Sequence, residues 1–141
     1  MRLGNVERVI IGRLSRGQDV LRELTEIVRR NGVKSGAVML IGSLDRVRVG
    51  FFNEETGTYD YREAEGFYEL VSGLGNVSWK DSEPVVHIHI AASSHDGDYL
   101  MGHLLEGNIA SLTVEYIILA FDFMVQRRYD PGTKLSLLDT E

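Results

Sequence analysis

Only one stretch of this chain carries the periodicity of a helix. Between about residues 19 and 31 the apolar side chains Val20, Leu21, Leu24, Ile27 and Val28 recur at i, i+1, i+4, i+7 and i+8, which gathers them into a single stripe. Gly32 follows at once and suits the left-handed position that ends a helix. At the other end Ser15 with Gln18 fits a capping box, and Gly17 fits the cap equally well. Residues 7–14 read as a strand ahead of this helix. From Ser35 onward short β-type runs succeed one another. They cover residues 37–44 and 47–52 around an Asp45-Arg46 turn, then 58–64, 67–72, 76–80, 85–93, 99–105 and 112–123. A parallel sheet needs a crossover between successive strands, usually a helix, and only one candidate helix exists. The expected architecture is an α+β domain with a largely antiparallel sheet.

With 141 residues and no linker, repeat or low-complexity segment, the chain reads as one domain. Its core spans about residues 6–123, and residues 124–141, with Asp130-Pro131-Gly132, read as a peripheral C-terminal extension. There is no cysteine, so disulfides, thiolate chemistry and Cys-ligated zinc are excluded together. Any metal site has to be built from histidines and carboxylates. The formal net charge of −6 and the absence of a basic stripe argue against direct nucleic-acid binding. No apolar run approaches the roughly 20 residues that span a bilayer, and residues 1–7 lack the apolar core of a signal peptide. The expected compartment is the cytoplasm.

Three of the four histidines fall in His87-Ile88-His89 and Gly102-His103. Residues two apart in a strand share a face, so His87 and His89 can converge on one ion. Whether His103 joins them depends on the turn in Ser94-His95-Asp96-Gly97-Asp98. A two-residue Asp96-Gly97 loop pairs His95 with Asp98 and sends His103 to the opposite face. A three-residue loop, with Gly97 in the left-handed bulge position, pairs His89 directly with His103. Apolar patterning favours the second register. It places Ile88, Ile90, Ala92, Leu100, Gly102 and Leu104 on one face and leaves the three imidazoles on the other. The sequence thus points to a divalent metal, zinc first, on His87, His89 and His103. Glu106 and Glu115 are the candidates for a fourth ligand or for orienting an imidazole, and a structural ion pair is the competing reading for each. His95, at the loop tip, is expected in solvent. Imidazoles bind metal when deprotonated, so affinity is expected to weaken as pH falls through about 6.5.

Other chemistry is missing from the sequence. There is no Walker A loop, no dinucleotide-binding Gly-x-Gly-x-x-Gly, no Gly-x-Ser-x-Gly elbow and no His-Glu-x-x-His. Trp79 and the aromatics Phe51, Phe52, Tyr59, Tyr61, Phe67 and Tyr68 are spaced as sheet residues. Nothing names a nucleophile. The one source of catalysis the residues offer is water on an open position of the metal, acting on a small ligand.

These blocks taken together resemble the plants-and-prokaryotes-conserved (PPC) domain, in its stand-alone prokaryotic form. The likeness rests on Gly17-Gln18-Asp19-Val20-Leu21, Gly36-Ala37-Val38 with Ile41-Gly42-Ser43, Gly75-Asn76-Val77-Ser78, Glu83-Pro84-Val85-Val86-His87-Ile88-His89 with Asp96-Gly97, and Gly102-His103-Leu104-Leu105-Glu106-Gly107. It runs from about residue 6 to 120. The resemblance implies flanking helices on the sheet, assembly into a homotrimer and a metal cluster at the three matching histidines. Met101 departs from the family's glycine at that place, and Phe67-Tyr68-Glu69-Leu70 departs from its usual Phe-Glu-Ile-Leu. In plant relatives DNA binding goes with an AT-hook, which this chain lacks. A DNA-associated regulatory or scaffolding module, without its own AT-hook, is the alternative function.

Overall fold

The computed structural model describes residues 1–140. The single helical stripe becomes α1 (Val20–Arg30), whose Val20, Leu24, Ile27 and Val28 are buried. Its cap is neither Ser15 nor Gly17 but Asp19, which accepts a hydrogen bond from the Arg22 N–H at 3.1 Å. Gln18 does reach back to the Ser15 N–H, at 2.7 Å, but it closes a turn ahead of the helix. At the far end Gly32 has φ +58°, with its N–H on Arg29 O and the Val33 N–H on Val28 O, each at 3.1 Å. That pair of bonds is a Schellman motif, and it stops the helix where the sequence indicates.

The rest of the regular structure is sheet. The strands are β1 (Val6–Leu14), β2 (Gly36–Asn53), β3 (Thr58–Lys80), β4 (Glu83–Ser94), β5 (Tyr99–Leu104), β6 (Ile109–Phe121), β7 (Gln126–Asp130) and β8 (Leu135–Asp139). They form one sheet in the order β1-β6-β2-β5-β4-β3-β7-β8, with β2 also paired to β3. All pairings are antiparallel except the short parallel contact of β3 with β7. The expectation of an α+β domain with flanking helices is therefore corrected. The fold is mostly β, with one helix among the described residues, because residues 36–121 run as strands whose alternation is interrupted by bulges and turns but never switches to a helical period.

The strands are also longer than expected. Asp45-Arg46 is no turn: β2 runs straight through it with a register shift between Leu44 and Arg46. Gly73-Leu74-Gly75 likewise lies inside β3. Bulges like the one between Leu44 and Arg46 bend a long strand without ending it. As a result β2, β3, β4 and β5 curl until β5 meets β2 again, through Val49↔Leu104 and Gly50↔His103.

The two faces of the sheet differ. On one, α1 packs against β4 and β6 and covers a core in which Leu24, Leu44, Ile88, Leu104 and Ile118 are fully buried. Each such side chain contributes about 1.5–3 kcal/mol relative to exposure. On the other, Ile11, Ile117, Met39, Leu74, His89 and His103 stand opposite one another from strand to strand, forming one continuous row. Ile11 and Leu74 in that row are 74% and 64% exposed. No helix among the described residues is long and apolar enough to cross a membrane.

Candidate metal centre

The position of the third histidine is set by the β4–β5 turn. Ser94 N–H bonds Asp98 O at 2.8 Å, and Gly97 takes φ +90°, so the loop is His95-Asp96-Gly97. The ladder then reads His89↔His103, Ile90↔Gly102, Ala92↔Leu100 and Ser93↔Tyr99. Ile88, Ile90, Ala92 and Leu104 are at most 3% exposed, so the apolar set faces the core and the imidazoles face away. His95 is fully exposed, with only Asp96 near its ring.

His87, His89 and His103 each offer a nitrogen within 4.8 Å of the others. The Nε2 atoms of His87 and His89 are 3.3 Å apart. Two ligands at a tetrahedral zinc, each about 2.05 Å from the ion, are separated by about 3.3 Å. His103 Nδ1 is buried and has no hydrogen-bond partner. An orphaned buried nitrogen is costly, and a metal or a proton donor would satisfy it. Donor type, spacing and the unpartnered atom all fit a metal ion.

The electrostatics keep the His87 and His103 rings neutral. Burial, followed by the neighbouring His87, His89 and Arg127, lowers the His103 pKa to about 4. Burial, then Arg127 and His89, lowers that of His87 as well. Neutral imidazole is the ligand form.

Glu106 and Glu115 do not join the cluster. Gly107, at φ +103°, turns the chain after β5, and the Glu106 carboxylate pairs with Arg22 at 3.1 Å beside the start of α1. Glu115 lies on β6 opposite Arg13 and Ile41. That is three strands from β4, about 14 Å at ordinary strand spacing.

Two residues that sequence reading missed do reach the centre. The Tyr59 ring, just past the β2–β3 hairpin tip, lies 4.8 Å from the His103 ring, centroid to centroid. The second is Arg127, from the C-terminal hairpin formed by β7 and β8. Its Nε–H donates to Ser78 Oγ at 2.7 Å, its Nη1 to Ser136 O at 2.8 Å, and its Nη2 to Asn76 Oδ1 at 3.1 Å and His87 Nδ1 at 3.2 Å. The extension read as peripheral sits at the end of the sheet, yet it sends this side chain to the imidazoles. Asn76 shares a rung with His87. Burial lowers the Arg127 pKa from its ordinary value, opposed only by Tyr59.

The profile of the Plants and Prokaryotes Conserved domain matches residues 1–122 of the chain. This protein belongs to that family. Solved structures agree with the assignment. A plant- and prokaryote-conserved (PPC) protein of Pyrococcus horikoshii is 27% identical, with a TM-score of 0.90, covering 100% of this chain and 97% of its own. A metal-containing protein of Archaeoglobus fulgidus is 28% identical, with a TM-score of 0.87 and coverage of 97% and 98%. A proposed DNA-binding protein of Bacteroides thetaiotaomicron is 25% identical, with a TM-score of 0.88 and coverage of 99% and 94%. Among curated proteins no match is found. The PPC segment holds all three histidines and Tyr59, whereas Arg127 lies beyond it.

Proposed function

We propose that this chain is a metal-binding PPC protein that holds one divalent ion, zinc by preference, on His87, His89 and His103. The observation that carries the reading is the convergence of three imidazoles, two of them with Nε2 atoms at zinc-ligand spacing and the third with a buried nitrogen that has no hydrogen-bond partner. Three nitrogen donors leave a coordination position for water or a small ligand, the arrangement of a working rather than a purely structural site. The Archaeoglobus relative, described as metal-containing, supports this. The test is elemental analysis of purified protein. About one equivalent of transition metal is expected to co-purify and to vanish when His87, His89 and His103 are all changed to Ala. Metal-free protein that cannot be loaded would end the proposal.

The same reading includes a homotrimer. Val9, Ile11, Ile41 and Leu74 are each more than half exposed on the face opposite α1, and monomers rarely leave such a contiguous patch open. Other copies of this chain are the partners proposed, each pair meeting through different parts of this apolar face so that three close into a ring. Light scattering coupled to size exclusion is expected to give three times the chain mass, and Ile11→Glu with Leu74→Glu to give one. A wild-type monomer at micromolar concentration would refute the assembly.

The Bacteroides relative favours a second reading, a DNA-associated module. With a net charge of −6, this chain would need a partner to carry the contact. A salt-dependent gel shift by the protein alone would bring that reading forward.

A further inference from the structure

Arg127 is half-buried beside the imidazoles, and none of its hydrogen-bond partners carries a negative charge. They are a serine hydroxyl, a backbone carbonyl, an asparagine oxygen and a neutral imidazole. Burying a cation without a carboxylate is unfavourable, and such groups are ordinarily paired. Neither Glu106 nor Glu115 supplies the missing charge: Glu106 holds Arg22, and Glu115 lies three strands from β4. Asp139, the acid of the same hairpin, pairs with Arg128 at 2.5 Å. A divalent ion on the three histidines would add two more positive charges to a pocket whose hydrogen-bonded neighbours supply no negative one.

The hydrogen-bond inventory points the same way. A guanidinium has five N–H donors, and the contacts of Arg127 use four. His87 accepts the fourth at Nδ1, which fixes its proton on Nε2, the atom that faces His89. When His87 instead ligates through Nε2, its proton moves to Nδ1 and it can no longer accept from Arg127. The Nη2 donor aimed at His87 is then released, in addition to the Nη1 donor still unused. Metal loading therefore leaves Arg127 with two donors and no anion.

We propose that Arg127 and the open coordination position beside His87, His89 and His103 together bind a small oxyanion, the carboxylate or phosphate group of a small molecule. This rests on the metal-binding reading above. Arginine suits the task because its planar fork matches both groups with paired N–H···O bonds. Tyr59, whose ring lies tilted against His103, flanks the imidazoles and gives the body of such a ligand an apolar surface.

The test uses full-length protein loaded with Co²⁺, a visible substitute for zinc, at fixed ionic strength. Inorganic phosphate and acetate are titrated separately by calorimetry while the cobalt absorption bands are followed. Wild-type protein is expected to bind at least one of them with a submillimolar dissociation constant and a change in the cobalt spectrum. The tighter of the two identifies the ligand group as phosphate or carboxylate. Arg127→Gln is expected to keep one cobalt per chain and to bind the anion at least ten-fold more weakly. Arg127→Lys keeps the charge without the fork, and a three- to ten-fold loss is expected. If the Gln variant fails to fold, the Lys variant decides, and wild-type affinity there overturns the proposal. Failure to take up cobalt would remove the metal reading and this inference with it. Full cobalt uptake with no response to either anion, or a response that Arg127→Gln retains, overturns this inference alone.

Discussion

Within one strand, β4, alternate residues live in different chemical worlds. Val86, Ile88, Ile90 and Ala92 turn towards α1 and are sealed from water. Their neighbours His87 and His89 turn the other way and meet His103 across the ladder. The inner set is held by close packing, where each atom removed leaves a void. The outer set contains a buried nitrogen with no partner and an arginine with no counter-charge, both unfavourable for stability alone. One face supplies stability and the other carries strain of the kind that accompanies binding.

That contrast can be broken by measurement. Ile88→Ala, on the sealed side, is expected to cost about 2–5 kcal/mol in denaturant unfolding, because the cavity cannot collapse beneath α1. His103→Ala, on the open side, is expected to behave oppositely. Loss of a group that merely supports a ligand costs up to about 100-fold in metal affinity, so loss of a ligand is expected to exceed that. The metal-free melting temperature should stay level or rise, since the orphaned Nδ1 is gone. A variant that instead unfolds would make His103 a core residue and erase the distinction between the faces.

The pH response sharpens the comparison. The pKa of His103 is about 4 in the folded protein and about 6.5 when unfolded, so the unfolded chain takes up the proton first. Stability is thus fully present above about 6.5 and is lost progressively as pH falls from there towards 4. The metal-free protein is expected to lose several degrees of melting temperature across that window, and His103→Gln to flatten the loss. For the same reason metal release should begin lower than the 6.5 that unperturbed imidazoles suggest. Smaller again is Gly97→Ala. Its Cβ would meet nothing within 4 Å, so only the positive φ opposes it, at about 1 kcal/mol, and metal uptake should survive. His95→Ala, at the exposed loop tip, is expected to change stability by less than about 0.5 kcal/mol.

How much could be read beforehand follows from the range of the forces involved. The register that joins His103 to His89 was legible because it is local: one turn and one alternation fix it within about fifteen residues. The helix stop at Gly32 was legible for the same reason. The cap at Asp19 was not, since Ser15, Gly17 and Asp19 are all good caps and tertiary bonds chose among them. Asp19 also accepts the Gly107 N–H at 2.7 Å, a contact 88 residues away. The continuity of β2 and β3 was hidden because polar and glycine residues mark bulges and turns alike. Flanking helices came from the family resemblance and had no support in the periodicity. Arg127 lies 40 residues from His87 and meets it only because the last hairpin docks beside β3. Glu106 looked close to the site because sequence proximity ignores the reversal at Gly107.

The docking of that last hairpin has a consequence for relatives. The imidazoles sit on strands common to the family profile, while the guanidinium arrives on an appendage that the profile does not include. A change confined to that tail would leave the three nitrogens in place and surround them with a different field. The charge around the imidazoles is in that sense detachable, retuned by exchanging the final few residues while the architecture stays as it is.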